Sequence, residues 1–231
     1  MGIKLKYDVQ INLKHEKEIF RFVRFIILEF IFSWFFLGIS TYIWNMTWYW
    51  IAVFLGPWCA AIPAIINLKV RKIQIREIVG KHVMWQFFTG CGIAVIFGVV
   101  MSSVSLILGY GMLPQTNDII WWKVVRTFFY YMCVVGPTEE LIYRVTIMGC
   151  LREICEKYKW LAPFVANTLF ALSHLLYRDW IVTGFAFLYG AVYTILAYRW
   201  KRCGWVLLSA MHGMYDFSVM MLPYLYLTII R

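Results

Sequence analysis

FIFSWFFLGISTYIWNMTWYWIAVFLGPWCAAIPAIINL, residues 30–68, contains no Asp, Glu, Lys or Arg. A fold surrounded by water cannot hide such a run, whereas a hydrocarbon layer roughly 30 Å thick takes about 20 apolar residues per crossing helix. Residues 83–117 are likewise free of those four residue types. The whole chain of 231 residues is 62% apolar, 19% aromatic and only 15% charged, against about a quarter charged in an ordinary soluble domain. The expected class is all-α: a polytopic transmembrane helical bundle forming one integral membrane domain over residues 1–231.

Spans are expected at about 22–43, 48–68, 84–108, 120–150, 161–177, 180–199 and 205–229. That makes about seven, or eight if one further segment is re-entrant or interfacial. Pro57 and Pro63 should kink the second span without breaking it. Gly136-Pro137 should divide the fourth, with Thr138 as N-cap of a fresh helix running into TEELIYR. Orientation follows from the basic residues. With the N-terminus inside, the cytoplasmic pieces carry seventeen Lys and Arg, and the outer pieces only Arg178 and Arg231. This is a strong positive-inside bias. Residues 1–21 then form a cytoplasmic segment, too polar at its start for a cleavable signal peptide.

The net charge of +10 lies in short clusters between apolar segments, so it marks inner loops rather than a nucleic-acid surface. KVRKIQIREIVGKH, residues 69–82, should lie along the inner headgroups. Trp44, Trp48, Trp50, Trp121 and Trp122 read as interfacial belts. Cys59, Cys91, Cys133, Cys150, Cys155 and Cys203 form no CxxC pair and read as reduced core residues.

Ionisable groups inside spans are costly and become functional candidates by default. They are Glu29, Glu139, Glu140, Arg144, His174, His212 and Asp216, of which Glu29 reads as structural. At 1.5 Å per residue from the inner end of each span, Glu139 and Asp216 fall near ~17 Å, His174 near ~20 Å and His212 near ~10 Å. Three helices thus carry acid or imidazole at comparable depth. Glu140 and Arg144, four apart, can form a buried ion pair. Glu139 is turned about 100° from Glu140, so the two carboxylates need not share a partner. Asn167, Phe170 and His174 make one stripe of the fifth span. His212 and Asp216 share a face of the seventh, where the carboxylate can fix the imidazole tautomer or, protonated, donate a hydrogen bond. Such a set suits water activation by a carboxylate acting as general base and then acid, with further donors for an oxyanion. Neither G-x-S-x-G nor HExxH occurs.

Glu139-Glu140-x-x-x-Arg144, Phe170-x-x-x-His174 and His212-x-x-x-Asp216, in that order within residues 136–217, resemble the three motifs of the CAAX protease and bacteriocin-processing (CPBP, or Abi) family of glutamate-type intramembrane proteases. The resemblance implies that Glu139 with His174 activates the attacking water and that Arg144 holds Glu140. It implies that His212 and residue 216 polarise the substrate carbonyl. Position 216 often carries Asn in that family and carries Asp here, which leaves its oxyanion role open. The expected substrates are membrane-associated peptides or protein tails, lipidated or amphipathic, cleaved without a cofactor in a prokaryotic plasma membrane.

Two other readings stay open. In one the hydrolysis is zinc-dependent, with His174, His212 and Glu139 as the two-His, one-carboxylate set. In the other the chain is a non-catalytic immunity or assembly factor, or a proton-linked transporter. Against transport, no repeated half is evident.

Overall fold

The computed structural model describes residues 16–33, 35–36, 49–107, 121–155, 158, 160–176, 179–200 and 202–230. Among them the regular structure is entirely helical, as an uncharged backbone that must satisfy its own polar groups in lipid requires. Three helical stretches, Val53–Val70, Val83–Ile107 and Trp180–Arg199, are long and apolar enough by themselves to cross a membrane. Residues 1–15, the far part of the first expected span with Trp44 and Trp48, and the basic Lys157, Lys159, Arg178, Lys201 and Arg231 lie outside the described residues. The chain divides into two compact units, each assembled from two stretches: Met1–Gln74 with Leu141–Trp200, and Ile75–Glu140 with Lys201–Arg231.

The first unit contains helix α1 (16–33), then α2 (Tyr49–Ala60) and α3 (Ile62–Val70). Pro57 and Pro63 bend this second span at Ala61 without parting it. The Ala61 amide still bonds the Pro57 carbonyl at 3.0 Å, and Ile65 bonds Ala61 at 3.0 Å. Arg71 is the C-cap of α3. Its guanidinium donates to Cys150 Sγ (3.3 Å) and pairs with Glu153, which ties α3 to the helix that ends at Ile154. Burial of a long cationic side chain is tolerated here because a carboxylate meets it. Glu29 is buried on α1, where Ser33 Oγ donates to it at 3.4 Å. Helices α9 (Leu161–Ser173) and α10 (Trp180–Arg199) pack together and complete the unit. Asp179 caps α10 by accepting the Val182 amide at 2.9 Å, which satisfies one of the open donors of a helix start.

The second unit is organised around α5 (Val83–Ile107) and α11 (Trp205–Ile230), which pack along their lengths. The buried stripe of α5 is Gln86, Gly90, Ala94, Gly98 and Ser102, one residue per turn and nearly all small. Between helices in lipid there is little hydrophobic drive, so close packing of small residues is the main attraction. At one end of the stripe Gln86 is fully buried and fully used. Its Nε2 donates to the Val79 and Lys81 carbonyls (2.9 and 2.7 Å), and its Oε1 accepts the Gly204 and Leu207 amides (3.0 and 3.3 Å). Gly80 turns through φ +77° to allow this. The short helix α4 (Ile75–Val79) that precedes it buries no residue, and Ile75 is exposed.

The fourth expected span differs from expectation. Trp121–Ile154 is one unbroken helical run: α6 (Trp121–Tyr130), a π-helical Tyr131–Val135, α7 (Gly136–Glu140), a π-helical Leu141–Ile147 and α8 (Met148–Ile154). Thr138 caps nothing. Its hydroxyl donates back to the Val134 carbonyl at 2.7 Å, one turn earlier. Pro137 has no N–H and crowds the preceding turn. The backbone widens into π turns on either side of it, which accommodates the ring without ending the helix.

Candidate active site

The expected site residues gather in two groups, one in each unit. Glu139, Glu140, His212 and Asp216 belong to the second unit; Arg144, Asn167, Phe170 and His174 belong to the first. Glu139 and His174 therefore stand in different units, as do Glu140 and Arg144.

In the second unit the backbones of α7 and α11 meet at glycines. A Cβ on Gly136 would collide with the Ser209 carbonyl and lie 2.8 Å from the Gly213 amide nitrogen, while one on Gly213 would strike the Tyr131 carbonyl. Trp205 Nε1 donates to the Pro137 carbonyl at 3.0 Å and pins the same crossing. One turn beyond Gly136, the acids Glu139 and Glu140 come within reach of His212, the neighbour of Gly213. Glu140 Oε1 lies 2.8 Å from His212 Nδ1. Glu139 Oε2 and Asp216 Oδ2 lie 3.8 and 3.6 Å from Nε2.

Glu140 hydrogen-bonds Nδ1, while Glu139, at 3.8 Å from Nε2, faces the other nitrogen from beyond hydrogen-bond reach, so the neighbouring acids turn to opposite edges of one ring. This corrects one expectation. Glu140, not Asp216, fixes the tautomer: Nδ1–H donates to the Glu140 carboxylate, whereas Asp216 sits at the other edge, beyond hydrogen-bond reach.

Exposure separates the roles. The side chains of Glu140 and His212 are 0% and 1% exposed, those of Glu139 and Asp216 25% and 20%. Only the latter pair is part-exposed, and the Glu139 oxygen turned toward Nε2 is itself buried. Cys203, in the connection before α11, is half-buried. Burial, and secondarily the charge of Glu140, pushes its thiol up to about 12.

In the first unit the fully buried Phe170 ring is a hub. The Arg144 guanidinium carbon stands 4.0 Å above its centre, and Tyr143, His174 and Tyr189 meet it edge-on at 5.3, 5.0 and 5.8 Å. Arg144 donates to Thr194 Oγ1 (3.3 Å) and the Gly190 carbonyl (3.2 Å). Asn167 donates to the Phe187 carbonyl at 3.0 Å and accepts from Thr194 at 3.5 Å. Gly190 makes room for all three: a Cβ there would lie 2.5 Å from Asn167, 2.8 Å from Phe170 and 2.9 Å from Arg144. His174 ends α9 with Nδ1 3.0 Å from the Phe170 carbonyl and Nε2 3.4 Å from the Tyr189 hydroxyl. A carbonyl only accepts, so Nδ1 carries the hydrogen and the neutral ring presents a lone pair at Nε2.

Sequence reasoning missed Tyr189, Gly190 and Thr194. Their signal was present, since Tyr189/Tyr193 and Gly190/Thr194 repeat at four residues on an otherwise apolar span. Among the described residues no group of three or more His, Cys, Asp or Glu side chains is disposed to hold a metal ion.

No curated protein and no solved structure matches the chain. Residues 120–218 match the family model described as type II CAAX prenyl endopeptidase Rce1-like. That stretch runs from the start of α6 into α11 and contains all three motifs and the eight site residues placed in the two units. Over its motif region, residues 120–218, the chain is thus similar to the type II CAAX prenyl endopeptidases.

Proposed function

We propose that the chain is an intramembrane endopeptidase that hydrolyses peptide bonds of membrane-associated peptides or protein tails, with Glu139 and His174 activating the water. The observation that carries this reading is the half-open carboxylate edge of His212. The Glu139 side chain is part-exposed and turns its buried Oε2 toward Nε2, while the sealed Glu140 holds the opposite nitrogen. A ring so fixed presents one nitrogen in one direction, as an electrostatic catalyst needs.

In the proposed reaction Glu139, as carboxylate, takes a proton from water while the water oxygen attacks the scissile carbonyl carbon. The Nε2 lone pair of His174 accepts the water's second hydrogen bond and aligns it. The carbonyl oxygen becomes an oxyanion that His212 meets with Nε2–H, the ring acting as an imidazolium whose Nδ1–H stays on Glu140. Asp216 in its acid form adds an O–H donor, which the amide N–H of an Asn would supply equally. The C–N bond then breaks as Glu139 returns its proton to the leaving nitrogen. Glu140 positions His212, and Arg144, Asn167 and Phe170 support the helix that ends at His174.

The test is cleavage of a farnesylated CAAX-terminated peptide by purified protein in liposomes. Glu139→Gln should lower kcat by a factor on the order of 10² to 10⁴, the range of a lost general base, without changing the melting midpoint. A fully active Glu139→Gln protein would end the proposal. The expected reaction also survives strong chelators. Loss of activity on chelation, restored by zinc, would replace it with the zinc-dependent version built on His174, His212 and Glu139.

A further inference from the structure

We propose that Arg152 and Arg199 form a clamp for the phosphate of an anionic phospholipid headgroup, at the end of the first unit where α8 and α10 both finish. The inference is independent of the proposed hydrolysis and uses residues of that unit alone.

Arg152 lies in the last turn of α8, and Arg199 is the last residue of α10. Both residues are exposed, and both guanidinium groups gather at the ring of Tyr198, 4.7 and 5.9 Å from its centre. Arg152 Nη2 donates to the Tyr198 carbonyl at 3.3 Å, which satisfies one of the open acceptors of a helix end. A guanidinium carries five N–H donors, so this bond leaves Arg152 most of its fork. Among the described residues Arg199 makes no hydrogen bond, and neither arginine meets a carboxylate. Glu153, beside Arg152 in the chain, is engaged by Arg71.

The surroundings name the anion. Helix α10 is long and apolar enough to cross a membrane, so its last residue meets the headgroup layer. Tyr158 and Trp160, exposed in the connection from α8 to α9, are residue types that sit at that level. The asymmetry of Lys and Arg assigns this end to the inner leaflet, where anionic lipids attract basic side chains. Planar guanidinium forks match phosphate oxygens two at a time, which an ammonium group cannot do. A phosphate held by both arginines joins the end of α8 to the end of α10. Earlier in the same helical run Arg144 already joins these segments, through Thr194 and the Gly190 carbonyl. The lipid adds a second tie at the membrane surface.

The test places full-length protein in phosphatidylcholine vesicles with and without phosphatidylglycerol and compares unfolding midpoints. Native mass spectrometry in detergent reads the phosphatidylglycerol retained. The midpoint of the unaltered protein should rise with the anionic lipid. The Arg152→Gln/Arg199→Gln protein should lose that rise and bind phosphatidylglycerol at least tenfold more weakly, at about fivefold per charge near an anionic surface. Arg199→Gln alone, which removes no hydrogen bond among the described residues, should weaken binding about fivefold. It carries the test if the double variant does not fold. Arg76→Gln/Lys81→Gln removes the same charge elsewhere and should keep both the rise and the binding. Unweakened binding by Arg199→Gln overturns the clamp. An equal loss in Arg76→Gln/Lys81→Gln also overturns it, in favour of diffuse surface charge. Inorganic phosphate that raises the midpoint as far in phosphatidylcholine alone would overturn the lipid as occupant.

Discussion

Glu139 and Glu140 are neighbours in sequence and opposites in exposure, and that contrast assigns their work. The buried Glu140 accepts Nδ1–H of His212, so Glu140→Ala should strand that donor inside the protein and cost roughly 1–3 kcal/mol. A lowered unfolding midpoint in detergent measures it, and an unchanged midpoint would show that the ring is held by something else. Asp216 sits at the open edge, where donation is needed. Asp216→Asn should therefore stay active on the farnesylated peptide, while Asp216→Leu should lose at least tenfold, the cost of one lost donor. Cys203 gives a third expectation. A thiol pushed up to about 12 by burial and the Glu140 charge is almost wholly protonated at neutral pH, and the thiolate is the nucleophile. Maleimide labelling of Cys203 should be slow at pH 7 and accelerate as the pH rises; rapid labelling at pH 7 would contradict that environment. The identity of these residues was legible from sequence, because a carboxylate or imidazole in an apolar helix stands out by its cost. Their pairing was not. Whether Glu140 turns to His212 depends on where two helices cross, and no spacing along one helix contains that.

At the level of helices, small residues set how closely backbones approach. On α5, a Cβ at Gly90 would lie 2.6 Å from the Leu207 carbonyl, whereas one at Gly92 would meet nothing within 4 Å. Gly90→Ala should destabilise by about 1–3 kcal/mol through overpacking. Gly92→Ala should be neutral or stabilise by up to about 1 kcal/mol through helix propensity. Thermal unfolding of the two variants decides the matter, and equal effects would mean that α5 does not bury this face against α11. Helix boundaries were largely legible because apolar length dictates them. The fourth span was not: Gly136-Pro137 reads locally as a break, yet π turns on both sides carry the helix through it. The stripe from Gln86 to Ser102 and the glycine crossing at Gly136 and Gly213 were invisible for a different reason. A glycine in a membrane helix has no pattern of its own until its neighbour is known.

For the molecule as a whole, the asymmetry of Lys and Arg predicts an inner N-terminus and an outer C-terminus across seven spans. A reporter active only outside the membrane should work when joined after Arg231 and stay silent when inserted near Arg202. A silent C-terminal fusion would make the span number even. Membrane residence, helical class, the order of the three motifs and the candidate acids and histidines were determined by sequence alone. Each follows from a property of a single residue or a single segment: its transfer cost into hydrocarbon, its length, its charge. Only the tertiary structure decided that His212 lies between two consecutive glutamates, that Phe170 is the hub for Arg144, His174 and Tyr189, and that Gly190 makes room for them. Those facts belong to pairs of helices. Their contact depends on crossing points set by the smallest side chains, and residues such as Gly190 and Gly213 act through the side chain they lack.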